Sequence, residues 1–384
     1  MFVDLNKCGV KPYKNEMSLY IHIPFCVSKC TYCNFCSFAG KQDYIPQYVQ
    51  ALCTEIEQKA QEFGYMLITS IYIGGGTPSF LPLGYITKIL DCVKQKFKLS
   101  NNISITIEGN PNSLTKEKLQ EYYNAKINRL SIGLQSANAD VLKLLNRAHT
   151  TQEFINTIKT AQEIGFKNIS ADIIIGVPTQ TLEDIKQTLN LLFSLNLQHI
   201  SAYGLILEPN TPLYRLVKSG KLSPLPEDLQ NQMYDFVVKE LKQHGFIRYE
   251  ISNFAKQGFK SQHNINYWQR GQYLGVGLDA YSFVKGLHWQ NTNNLDKYIQ
   301  QPNKKIKTEI ETIYTAKLET IMLGLRMDSG LDIQKFNADF NTDFLKEYSY
   351  VLENLLNNKL VKIQNNHLII TDQHISNAII SEFA

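Results

Sequence analysis

Leu19-Tyr20-Ile21-His22-Ile23-Pro24-Phe25-Cys26-Val27-Ser28-Lys29-Cys30-Thr31-Tyr32-Cys33 couples an apolar, β-branched run to three cysteines within eight residues. The run Leu19–Ile23 predicts a strand, and Pro24 closes it. The cysteines then follow with C-x3-C-x2-C spacing, in the loop after the strand. Three thiolates this close can hold three corners of a [4Fe–4S] cube. Ordinary electron-transfer clusters take four cysteines, so three leave one iron with an open position. A structural zinc ion would take a fourth Cys or His, and His22 and Cys36 are the candidates.

The other cysteines agree with metal or redox chemistry. All seven (Cys8, Cys26, Cys30, Cys33, Cys36, Cys53 and Cys92) lie in the first quarter of the chain. An odd, clustered set does not fit a secreted disulfide framework. The N-terminus lacks the apolar core of a signal peptide, and no apolar run reaches the ~18 residues that span a bilayer. A cytoplasmic chain is expected, with peripheral membrane contact left open. At 384 residues, 43% hydrophobic and 19% charged, the chain has the composition of a globular protein of two or three domains. The net charge is +4. From Lys305 onward there are 8 Lys/Arg against 11 Asp/Glu, which leaves this part at −3 and residues 1–304 at +7. The C-terminal part has the wrong sign for phosphate contacts, so no nucleic-acid partner is expected.

Working outward, short β-branched runs alternate with helical stretches over residues 1–255. Strands are predicted at Leu19–Ile23, Ser70–Ile73, Ile103–Ile107, Arg129–Gly133, Ile169–Ile175, Ile200–Leu205 and Arg248–Ser252. Tyr48, Leu52, Ile56 and Phe63 share one helical face. Leu182, Ile185, Leu189 and Leu192 share another, after a Thr181/Asp184 capping pattern. Strand–helix alternation implies an α/β fold with a parallel sheet, and right-handed crossovers make a partial barrel its natural closure. Residues 256–304 read as an irregular connecting region. Residues 305–384 read as helices around Leu318–Leu325 and Phe344–Leu356. A hairpin of Leu360–Ile363 and His367–Ile370 follows, making a small winged-helix-like α+β unit.

The strand ends carry the unusual residues: GGGTP (74–78), EGNP (108–111), GLQS (133–136), GVP (176–178) and GLILEP (204–209). Ligands of parallel α/β sheets sit at the C-terminal ends of strands. Glycines at Gly74, Gly75 and Gly76 let a ligand approach the backbone, although alone they read equally as a tight turn.

C-x3-C-x-aromatic-C after the first strand resembles the radical S-adenosylmethionine (SAM) superfamily. That likeness implies a partial (βα)6 barrel and a [4Fe–4S] cluster on Cys26, Cys30 and Cys33 that binds SAM at its fourth iron. Within the superfamily the resemblance is to the anaerobic coproporphyrinogen III oxidase-like family. It implies SAM contacts from Tyr20, Tyr32, Gly75, Gly76, Thr77, Glu108, Gln135, Arg147 and Asp172. Carboxylates suit ribose hydroxyls and an amino group, and Arg suits a carboxylate.

Two features separate the branches of that family. The oxidases carry a fourth cysteine two residues after the third, where this chain has Phe35, and a longer N-terminal arm than the 25 residues before Cys26. Cys33-Asn34-Phe35-Cys36-Ser37-Phe38 is closer to the heme-chaperone branch. His263-Asn264-Ile265-Asn266-Tyr267-Trp268 resembles that branch's H-N-x-x-Y-W motif. The likeness implies heme contact at His263, Tyr267 and Trp268, with imidazole a usual axial ligand; a core histidine among packing aromatics is the alternative. The function so implied is a heme chaperone that holds cluster, SAM and heme. It would deliver heme to acceptor proteins such as respiratory cytochromes, with an unidentified electron donor. The alternative is oxygen-independent coproporphyrinogen III oxidation. Gly275-Val-Gly-Leu-Asp-Ala280 matches a dinucleotide fingerprint but lacks its βαβ setting.

Overall fold

A computed structural model of the chain describes residues 13–384, so Cys8 lies outside the described residues. Six parallel strands run side by side in chain order: β1 (Glu16–Ile23), β2 (Leu67–Gly75), β3 (Lys98–Gly109), β4 (Arg129–Gln135), β5 (Ile169–Ile175) and β6 (His199–Gly204). Consecutive strands are neighbours because each is joined to the next by a helical crossover. The first crossover, α1 (Ile45–Phe63), buries Tyr48, Leu52, Ile56 and Phe63 on the face its periodicity predicts. The helix before β6 (Leu182–Ser194) opens on a capping box of Thr181 and Asp184. Along the strands buried apolar residues alternate with buried polar ones such as Ser18, Ser70, Thr106, Ser131, Ser170 and Ser201, so both faces of the sheet are covered and one of them is polar.

The sheet does not stop at six strands. Beyond β6 the chain turns antiparallel through β7 (Ile247–Arg248) and β8 (Asn253–Ala255), where the sequence predicts one strand over 248–252. The residues read as an irregular connector, 256–304, are ordered. A helix, α2 (Gln262–Trp268), leads into β9 (Tyr273–Val276), which lies parallel to the free edge of β1. Then β10 (Tyr281–Val284), β11 (Leu287–Asn291) and β12 (Lys305–Ile310) continue antiparallel, completing a twelve-stranded sheet. These strands are four to six residues long, so their alternation was too brief to read. Lys305–Ile310, assigned from sequence to the C-terminal unit, is therefore the last strand of the main sheet. Gly275–Ala280 runs from β9 into the turn before β10. Its Gly277 N–H donates to buried Glu55 on α1, 2.8 Å away, so the segment is no nucleotide loop.

A second core starts at Ala316 and holds Phe336, Phe340, Phe344, Leu352, Leu368 and Phe383. Five helices and a three-stranded sheet enclose it, with the hairpin turning at Asn365–Asn366. Both asparagines have positive φ, which Asn tolerates better than other side chains. Arg270, after α2, pairs with Glu311 and with Glu319 (2.8 Å), so an ion-pair network ties this unit to the sheet.

Candidate cofactor site at the strand ends

The cysteine loop is held from both sides. Gly76 N–H donates to Ile23 C=O (2.8 Å) and Thr77 N–H to Phe25 C=O (2.8 Å), which docks the 74–78 turn under the loop. On the far side, Thr31 N–H and Oγ1 donate to Leu145 and Leu144 C=O (3.2 and 2.8 Å), and Asn146 Nδ2 donates to Lys29 C=O (2.9 Å). That second clamp also carries Arg147 to the thiols. Its Nη1 lies 3.4 Å from Cys30 Sγ, and its Nη2 donates to Asn110 Oδ1 and to Gly133 C=O. Thr77 Oγ1 donates to Cys26 Sγ at 3.5 Å.

These residues surround a cavity of about 450 Å³ at the C-terminal ends of the strands. Cys26, Cys30, Tyr32, Cys33, Gly75, Gly76, Thr77, Glu108, Gln135, Arg147 and Asp172 all line it. So eleven side chains or glycines drawn from six separate stretches of sequence converge on one void. Parallel register explains part of this: Glu108 stands beside Ser131, and Gly133 beside Asp172. Gln135 follows a register shift on β4 and has φ +69°, a conformation rare outside glycine. Such outliers collect at functional sites. At Gly76 a Cβ would sit 3.0 Å from Cys26 Sγ and 2.9 Å from Phe25 C=O, so no other residue fits there without displacement.

The cavity is charged. Glu108 accepts from Tyr72 Oη (2.8 Å) and Gly75 N–H (3.2 Å). Burial still pushes its carboxyl up to about 7, with the nearby Asp172 charge acting in the same direction. Asp172, which accepts from Ser131 Oγ (3.1 Å), is also raised by burial. Burial raises the Cys26 and Cys33 thiols too. These polar groups face the void with fewer partners than they can use, and Arg147 Nε is buried with none.

The donor set fits a cluster better than a single ion. A structural zinc ion takes a fourth Cys or His beside three thiolates, whereas a four-iron cube that binds a small ligand at its open iron does not. Neither candidate fourth ligand reaches in. His22 Nδ1 is 3.0 Å from Tyr20 Oη and its Nε2 is 2.9 Å from Cys36 C=O, while Cys36 Sγ points to Asn293 C=O. The cluster reading therefore fits these residues and the zinc reading does not.

Four expected site residues lie elsewhere. Tyr20 is outside the cavity lining and holds His22. His263 is 2% exposed, packed beneath the sheet's polar interior. Its Nδ1 is 2.9 Å from Ser70 Oγ and its Nε2 is 3.0 Å from Tyr267 Oη, so neither nitrogen is free for iron. Burial lowers its pKa to about 3, which keeps the ring neutral. The same Ser–His–Tyr arrangement recurs at His199, between Ser170 Oγ (2.7 Å) and Tyr249 Oη (2.8 Å), with no sequence motif around it. As an axial ligand, then, His263 is at odds with the geometry; the repeat marks a device for satisfying a buried ring. Trp268 is partly exposed at the end of α2 and lines no part of the cavity. Sequence reasoning missed Asn110, Ser131 and Tyr203 as lining residues. The EGNP stretch already pointed at Asn110; the other two needed the register.

Known proteins agree with this geometry. The family model of the radical SAM superfamily matches residues 20–192, and that of the HemN C-terminal domain matches residues 316–374. The chain is 34% identical to the heme chaperone HemW of Bacillus subtilis, over 93% of this chain and 95% of that protein. It is 38% identical to the heme chaperone HemW of Haemophilus influenzae, over 89% and 93%. Among solved structures, coproporphyrinogen III oxidase (HemN) from Escherichia coli superposes with a TM-score of 0.85 at 24% identity, covering 99% of this chain and 92% of that one. That likeness speaks to fold.

Proposed function

Because the chain belongs to the HemW family of the radical SAM superfamily, we propose that it is a heme chaperone that carries a [4Fe–4S] cluster and SAM. The observation that carries this reading is the near end-to-end likeness to heme chaperones. The oxidase alternative rests on a shared fold, and fold alone does not assign chemistry. In this reading Cys26, Cys30 and Cys33 hold the cluster. When bound, the cluster supplies one iron with an open position for SAM. Gly75 and Gly76 leave room for the cofactor's amino-acid end. Glu108 and Asp172 accept hydrogen bonds from hydroxyl and amino groups, and the Tyr32 ring offers a flat wall. Arg147 and Thr77 orient the thiols, Gln135 adds an amide at the rim, and Tyr20 positions His22.

For heme, Tyr267 and Trp268 are the aromatic residues of the 263–268 motif that keep exposed surface while His263 is buried, and contact at that end runs through them. Delivery is to acceptor proteins such as respiratory cytochromes, with an electron donor for the cluster. Among the described residues no helix is long and apolar enough to cross a membrane; the reading places the chain in the cytoplasm. The test is an anaerobic heme titration of cluster-loaded protein, followed by the Soret band, beside an assay of coproporphyrinogen III decarboxylation. Saturable binding at about one heme per chain without decarboxylation is expected. Decarboxylation without saturable heme binding overturns the reading.

A further inference from the structure

Two thiols outside the cofactor cavity face each other. Cys53 lies on α1 and Cys92 on the next crossover helix, Tyr85–Lys96. Both helices join consecutive parallel strands, so they run side by side in the same direction. Two cross-links fix their register. Lys88 Nζ donates to Gln50 Oε1 (3.5 Å), and Lys96 Nζ pairs with Glu57 (3.2 Å). Cys53 is three residues past Gln50 and four before Glu57. Cys92 is four past Lys88 and four before Lys96. Steps of three and four stay on one helical stripe, so the cysteines meet midway between the two cross-links. The thiols feel each other: burial, and then the Cys92 thiol, push Cys53 up to about 12, against the charge of Lys88.

The pair is asymmetric. Cys53 is buried, whereas Cys92 is half-buried and lines an open surface groove with Thr87, Lys88 and Asp91. A small reagent in solution therefore meets Cys92 first. Cys53 waits behind it, already in place, so a second step between the two is intramolecular. Both thiols are free in this structure, and neither lines the cofactor cavity.

We propose that Cys53 and Cys92 form a reversible dithiol–disulfide site that reacts with low-molecular-weight disulfides. The Cys92 sulfur attacks one sulfur of the reagent R–S–S–R. A Cys92–S–S–R bond forms, the reagent's own S–S bond breaks, and one R–SH leaves with the Cys92 proton. The Cys53 sulfur then attacks the Cys92 sulfur, and the second R–SH leaves with the Cys53 proton. The cysteine pair gives up two electrons and the reagent takes them. The disulfide clasps α1, which follows the cysteine loop, to the helix that follows the 74–78 turn. The two backbone segments that cradle the thiols of the cofactor site are thereby tied together according to the thiol–disulfide poise around the protein.

Anaerobic incubation of the cluster-loaded protein with glutathione disulfide tests this, read by intact mass and by peptide mapping. Wild type is expected to lose the mass of two hydrogen atoms, to keep no glutathione, and to yield one cross-linked peptide pair joining Cys53 to Cys92. Cys53→Ser should instead hold one glutathione on Cys92, and Cys92→Ser should leave Cys53 unmodified. Iron content, measured before and after, should be unchanged, which separates this pair from the cluster thiols. A lasting glutathione adduct on wild-type Cys92, no reaction at either thiol, or a cross-link from either to a cysteine of the 26–36 loop overturns the proposal. The wild-type map needs no substitution, so a variant that fails to fold leaves the test intact. No heme enters the readout, so it stands or falls apart from the chaperone reading.

Discussion

The cavity at the strand ends and the nest around His263 are made of the same residue types, yet they do opposite things. Both gather Tyr, Ser and ionisable side chains inside one parallel sheet. Around His263 every polar atom of the ring has a partner, and the ring is sealed from solvent. Around Cys26, Cys30 and Cys33 the polar groups face a void, with burial opposing their charges. A motif marks where polar residues are; unmet polarity facing open space marks where a ligand goes.

The widest separation between the two regions is expected from Cys30→Ala. It removes one corner ligand from a loop that the backbone clamps at both ends. Iron and sulfide retention after anaerobic reconstitution should fall to near zero while the melting temperature of the apoprotein barely moves. A large loss of apoprotein stability would mean that the thiol itself holds the fold. His263→Ala should behave the other way round. It orphans the Ser70 and Tyr267 hydroxyls and leaves a cavity, at a cost of about 4 kcal/mol in urea unfolding. Cluster content should be unchanged. If instead stability is preserved and the Soret band of bound heme is lost, His263 is an iron ligand after all.

The two regions should also respond to pH with opposite sign. Glu108 is raised in the fold, from an ordinary carboxyl value to about 7. The folded state therefore holds a proton that the unfolded chain releases above about 4.5. Its charge costs nothing below that pH, and the cost grows as pH rises to 7, up to about 3 kcal/mol. His263 is lowered from 6.5 to about 3, so its cost is absent above pH 6.5 and grows as pH falls towards 3. Glu108→Gln should thus stabilise the apoprotein at pH 8 and change little at pH 4. Stability measured against pH checks both arms; a Gln variant with the wild-type slope between pH 4.5 and 7 would remove burial as the cause.

Much of the barrel was legible. Ile169–Ile175 was placed to the residue, because four isoleucines within seven positions admit few alternatives. The capping box at Thr181 was legible because both partners lie within one turn. The strands from β9 to β12 were not legible. They are short, and the pairing that ties them to the barrel strands reaches far in sequence, since β9 joins β1 more than 250 residues earlier. The site divides in the same way. Cys26, Cys30 and Cys33 could be named from spacing, since three ligands in one loop need no tertiary information.

What the sequence by itself determined is the chemistry: three thiols after a strand, glycines and acids at strand ends, and the order of the βα units. Those follow from local residue type and period. What only the tertiary structure decided is which of those residues share a space. It put Glu108, Gln135, Arg147 and Asp172 around one void and gave both ring nitrogens of His263 hydroxyl partners. Among the described residues it also left the outer side of β12 without a partner strand. The reason is that burial and hydrogen-bond completion belong to neighbours brought in from elsewhere in the chain. A histidine's two nitrogens are free or taken according to a serine nearly two hundred residues away, which no local pattern can record.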